Sequence, residues 1–120
     1  MSIANQIADF IEANTNYGEG KDLFLDYLPE GVEKGVVVRF ISSQGKGALK
    51  TADIVVYYID KDWALGNRRI KELREIIIKH RGLSGFGWSV LGDVEIGNEG
   101  LDEMRRHVTS LNFSVGFVED

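Results

Sequence analysis

Few side chains in this sequence could do chemistry, and their spacing assigns them none. His80 and His107 are the only imidazoles among 120 residues, and the chain has no cysteine. A zinc site needs several His, Cys or carboxylate ligands converging on one point, which two histidines on separate elements do not supply. Asp93 with Glu95, and Asp102 with Glu103, are carboxylate pairs of the kind that divide general acid and general base work. In a chain with 19 acids such pairs arise from composition alone. Gly45-Lys46-Gly47 suggests phosphate binding, but a P-loop requires glycine five residues before the Gly-Lys pair and Ser or Thr after the lysine; Phe40 and Gly47 stand there. Gly18-Glu19-Gly20 and Gly85-Phe86-Gly87 lack the third glycine of the dinucleotide fingerprint. Ser84, in Gly82-Leu83-Ser84-Gly85, does not complete the Gly-x-Ser-x-Gly elbow that exposes a nucleophile. These residues imply a non-enzyme without a cofactor or metal, which works by offering folded surfaces to partners.

Helical and strand periods define the frame that presents those surfaces. Ser2 caps a helix whose apolar residues Ile3, Ile7, Phe10 and Ile11 recur at helical spacing as far as Asn14. After a turn rich in Asn and Gly, Asp22 to Leu28 is a short strand stopped by Pro29. Val36 to Ile41 is a second strand, and Arg39 turns one of its faces toward solvent or another subunit. The polar run from Ser42 to Thr51 is too long for a tight hairpin and reads as a mobile loop. Asp53 to Ile59 is apolar on both faces, which places it centrally, with a helix on one side and more protein on the other.

Asp60 or Asp62 caps a second helix running from Trp63 to Arg81, with Gly82 as its stop. At 100° per residue Ile70, Leu73, Ile76, Ile77 and His80 share one arc, while Arg68, Lys71 and Glu75 lie opposite and Ile78 projects outward near Lys71 and Arg74. The Gly82 to Gly87 turn leads to a half-buried strand from Trp88 to Ile96, which Gly97-Asn98-Glu99-Gly100 breaks. In the last strand Thr109, Leu111, Phe113, Val115 and Phe117 face one way; Ser110, Asn112, Ser114 and Gly116, small and polar, face the other. The order α-β-β-β-α-β-β predicts a single α+β domain over residues 1 to 120, a mainly antiparallel sheet of about five strands with two helices packed on it.

Charge is unevenly spread along this frame. The net charge of -5 excludes a protein whose main task is gripping nucleic acid, since that affinity needs Lys and Arg on phosphates. From Lys61 to Arg81 there are seven bases against three acids, leaving seven bases against sixteen acids elsewhere. A basic helix on an acidic domain suits a charge-matched subunit contact. No stretch is apolar enough to span a bilayer and the first residues lack a signal-peptide pattern, so the expectation is a soluble protein made in the cytoplasm. Candidate interface residues are Lys46 and Lys50 on the long loop, and Arg68, Lys71, Arg74 and Ile78 on the second helix.

Three segments together resemble the tail-terminator proteins of long-tailed bacteriophages, also called minor capsid or tail-completion proteins. The first is Asp22-Leu23-Phe24-Leu25-Asp26-Tyr27-Leu28-Pro29 leading into Val36-Val37-Val38-Arg39-Phe40, and the second is Ile54 to Asp60 running directly into the long helix. The third is the acid-then-arginine ending from Leu101 through Arg105-Arg106-His107 to Phe113. The resemblance implies a virion protein at the head-proximal end of the tail, assembled in the host cytoplasm. It would form a ring, commonly a hexamer, on the tail tube protein, stop its polymerisation and offer a surface to a head-completion or connector protein. DNA would pass an acidic lumen without specific binding, and no membrane is involved. The same features fit another head-tail connector or neck subunit. A small ligand-binding regulatory domain would instead use a cleft beside Trp63, Trp88 and the Gly-rich turn.

Overall fold

The computed structural model describes residues 2–45, 49–80 and 87–118. Helix α1, Ile3–Asn14, starts where the Ser2 hydroxyl accepts the amide hydrogen of Asn5 at 3.1 Å. It ends where the Thr15 hydroxyl donates to the Ile11 carbonyl at 2.6 Å. Its stripe of Ile3, Ile7, Phe10 and Ile11 is buried, and Ala4 and Ala8 widen it. Each buried isoleucine or phenylalanine contributes about 1.5–3 kcal/mol.

The strands are β1 (Leu23–Leu25), β2 (Gly35–Gln44), β3 (Leu49–Asp60), β4 (Trp88–Leu101) and β5 (His107–Val118), with helix α2 (Trp63–Ile78) between β3 and β4. The fold is α+β, and its order is α-β-β-β-α-β-β as the sequence predicts. The strands form one sheet in the order β1-β2-β3-β5-β4. Every pairing is antiparallel except β1 with β2. β3 is therefore central, as its apolar faces require.

Both helices pack on one face. Val36, Val38, Ile54, Val56, Leu111 and Val115 point into a core shared with Ile7 and Ile11 of α1 and Ile70, Leu73 and Ile77 of α2. Asp62 caps α2 by accepting the Leu65 amide hydrogen at 3.0 Å. Asp60 instead accepts the Tyr58 hydroxyl at 2.9 Å and the Asp62 amide at 3.0 Å, which fixes the turn before the helix.

Several boundaries differ from expectation. β1 stops at Leu25 because Asp26 takes a φ of 71°, turning the chain before Pro29 is reached. Much of the long loop is sheet: β2 runs to Gln44 and β3 begins at Leu49, with a bulge between Phe40 and Ser42 that shifts the register by one residue. Gly45 makes the tight approach possible, since a Cβ there would lie 2.6 Å from the Leu49 carbonyl oxygen. α2 ends at Ile78, three residues short of Arg81. Gly97 to Gly100 does not end β4. The strand continues to Leu101 with bulges between Leu91 and Glu95 and between Asn98 and Gly100, and Gly97 lies so close to β5 that a Cβ would meet the Ser110 hydroxyl oxygen at 2.6 Å.

The sheet's second face carries no helix. Parallel pairing of β1 and β2 obliges residues 26 to 34 to run back to the start of β2. Arg106 holds this return in place, donating from Nη1 to the Val32 carbonyl at 2.9 Å and from Nε to the Asp102 carboxylate at 2.7 Å. Val37 and Val55 are buried on this face and Tyr57 and Ile59 are half-buried, whereas Asp53 and Thr51, nearer the start of β3, are exposed. The extra protein expected over this side of β3 is therefore confined to one end.

Candidate functional site

Of the six residues singled out from the sequence, the five that are described do not form one surface. Lys46 lies outside the described residues. Lys50 sits half-buried on β3, and its Nζ reaches the Gly45 carbonyl at 3.3 Å. Ile78, expected to project outward, is half-buried and packs against the core, because α2 touches α1 as well as the sheet and so buries a wider arc. Arg74 is committed within the subunit: its Nε donates to the Val94 carbonyl at 2.8 Å and braces α2 against β4. Arg68 and Lys71 remain exposed on the outward side of α2. Arg68 lies 4.0 Å from Glu72, a carboxylate already bonded at 3.1 Å by Arg69, while Lys71 has no acid in ion-pair range among the described residues.

Across the sheet from α2 lies a shallow groove with an empty volume near 1020 Å³. Antiparallel partners share a face, so Asp53 with Ser114, Leu91 with Ser114, and Glu95 with Asn112 all belong to the face opposite the helices. Ile41, Val55 and Leu91 supply apolar floor, and Asp53, Asp93 and Glu95 stand as acids around it. Hydroxyls of Ser114 and Ser42 donate to Asp53 at 2.7 Å and 3.2 Å and hold its carboxylate upright. None of the three acids is in ion-pair range of a base among the described residues. They are also spread too widely to chelate: no group of three His, Cys, Asp and Glu able to hold a metal ion occurs among the described residues. Sequence reasoning treated Asp93 and Glu95 as a chance pair; the structure brings both to the groove across the bulge between Leu91 and Glu95, where simple alternation does not hold.

A second concavity opens between the turn after α1, the start of β2 and α2, with an empty volume near 1030 Å³. Tyr17 and Tyr58 line it, with Arg69 and Glu72 at one side and Lys34 at another. Burial, then the hydrogen bond to Asp60, push the Tyr58 phenol well above its usual range, and burial also raises Tyr17. Both phenols therefore stay protonated donors rather than nucleophiles, and that of Tyr58 is already spent on Asp60.

The cleft expected beside the two tryptophans does not form among the described residues. Trp63 is exposed at the start of α2, whereas Trp88 is buried against Phe10 and His80, with ring centroids 5.4 Å and 3.9 Å away. His80 thus belongs to the core edge, where burial lowers its pKa against a hydrogen bond with the Trp88 backbone that works the other way. The Gly-rich turn and Ser84 lie outside the described residues. No helix among the described residues is long and apolar enough to cross a membrane.

No protein-family model and no curated protein matches this chain. Among solved structures, a chain that bears only a sequence identifier for a name aligns with TM-score 0.55 and 11% identity, covering 97% of this chain and 89% of its own length. At that identity the likeness concerns the fold alone.

Proposed function

We infer that this chain is a structural, non-enzymatic subunit of a phage tail, a tail terminator that forms a ring on the tail tube, stops its polymerisation and presents a surface for head joining. The observation that carries the reading is apolar surface left uncovered on a single chain. Phe40, Ile41 and Leu49 are exposed on the outer half of the β2–β3 ribbon, and Val118, the pairing partner of Leu49, is exposed beside it. Single exposed apolar side chains are ordinary. Three on that ribbon and one on the adjoining β5 suit a surface that a neighbouring subunit or the tube end would cover. The three segments that resemble tail terminators, and the segregation of bases onto α2, support the same assignment.

Its partners would be further copies of itself, the tail tube protein and a head-completion or connector protein, with DNA passing through the lumen. Electron microscopy of the purified protein, alone and added to polymerising tube protein, tests this. Rings of one symmetry and tubes capped at one end are expected. A monomer that forms no ring and leaves tube growth unchanged would refute it. A neck or connector subunit would give rings that bind connector protein and leave tube length unaffected. Among the described residues, the cleft beside Tyr17 and Tyr58 favours a ligand-binding domain, which would remain monomeric and give a thermal shift with a small molecule.

A further inference from the structure

We propose that the outward face of α2 in one subunit docks into the acidic groove on the helix-free sheet face of the next, in a head-to-tail contact repeated around the assembly. The proposal rests on the ring-forming reading above and names the two surfaces that would meet. They lie on opposite sides of one sheet, since the core residues of β3 and β5 face α2 while Asp53, Ser114 and Asn112 face away. A contact between two different patches repeats in one direction and forms a ring where the rotation between successive subunits closes.

The charges match, and among the described residues Lys71 on the helix and Asp53, Asp93 and Glu95 in the groove have no opposite charge in ion-pair range. On α2 the acids are internally answered, Glu72 by Arg69 at 3.1 Å and Glu75 by Arg74 at 3.9 Å. Lys71 is left over, with Arg68 only weakly engaged at 4.0 Å from an occupied carboxylate. Across the sheet, Asp53, Asp93 and Glu95 have no base in range among the described residues. β3 and β4 flank β5, so the acids of the two walls are about 10 Å apart, close to the width of a helix. Arg68 and Lys71 stand three residues apart on one helical face, and their flexible stems reach either wall, passing the apolar side chains of Val55 and Leu91. Asp53 is already held by two serine hydroxyls, so little ordering is lost when a cation arrives.

The test is a charge swap between two variants. One carries Asp93→Lys with Glu95→Lys, the other Arg68→Glu with Lys71→Glu; all four side chains are exposed, and circular dichroism and urea midpoints verify that each variant folds. Each variant alone should lose assembly in sedimentation velocity, its self-association weakening roughly tenfold or more. An equimolar mixture should regain it, because contacts then alternate between the acidic helix of one variant on the basic groove of the other and the unmodified basic helix on the unmodified acidic groove, and only rings with an even number of subunits close. If either variant alone assembles like the unmodified chain, or if the mixture stays dissociated, the proposed pairing is wrong while the ring reading stands. An unmodified chain that forms no ring alone or on tube ends overturns both.

Discussion

Replacing Arg106 by methionine removes the clamp that ties the β4–β5 turn to the return segment covering one end of the open sheet face. Arg106 donates from Nε to Asp102 at 2.7 Å and from Nη1 to the Val32 carbonyl at 2.9 Å, with its side chain 14% exposed and that of Asp102 22% exposed. Breaking a fully buried ion pair costs about 3–5 kcal/mol. Here the cost is smaller, because Asp102 keeps the amide hydrogens of Met104 and Arg106, each at 2.9 Å, and water reaches both partners. One charge-assisted hydrogen bond is worth about 1.5–3 kcal/mol, so about 2 kcal/mol is expected for Arg106→Met. With a urea slope of about 1–2 kcal/mol/M, the unfolding midpoint should fall by about 1–2 M.

The pH dependence supplies an independent readout. Burial raises the Asp102 pKa, but hydrogen bonds from the Arg106 backbone and side chain outweigh it, and the net shift is downward from 3.8. A carboxyl lowered in the folded state contributes stability that is present above its unfolded pKa and is lost as pH falls through the folded value. The gap between Arg106→Met and the unmodified chain should therefore be constant near neutrality and narrow below 3.8. A midpoint shift under about 0.3 M, or a gap independent of pH down to full protonation, would refute the reasoning.

Two further substitutions probe the sheet and the core edge. Gly97→Ala should cost about 1–3 kcal/mol by displacing the Ser110 hydroxyl from its 2.9 Å bond to Glu99, and adding Ser110→Ala should recover part of that loss in urea unfolding; no recovery would mean that another contact sets the cost. His80 has a pKa lowered from 6.5 by burial, so the unfolded chain takes up the proton first and stability is full above 6.5 and drains away as pH falls toward the folded value. His80→Phe keeps an aromatic ring against Phe10 and Trp88 and should flatten that slope in thermal melts between about pH 7.5 and about pH 5.5, and equal slopes in the two chains would count against it.

Much of the fold is legible in the order of residues, because local period and capping chemistry are local properties. The stripe of α1, the Asp62 cap, the inward arc of α2 and the alternation of β5 all appear in the structure as the spacing predicts. So does the core-edge position of His80, which its place on that arc requires.

What the sequence leaves open depends on chain segments far apart in it. Glycines read as strand breakers became strand residues: at Gly97 because β5 lies too close for a Cβ, and at Gly100 because the bulge there takes a φ of 84°. Within the run from Ser42 to Thr51 read as loop, Ser42 to Gln44 and Leu49 to Thr51 are strand, because pairing with a neighbouring strand satisfies their backbone groups. Ile78 and Arg74 looked outward because a helical wheel has no knowledge of α1 or of Val94. The acidic groove is the clearest case: Asp53, Asp93 and Glu95 come from two strands that are not adjacent in the sheet, and β5 inserted between them decides that they share one face.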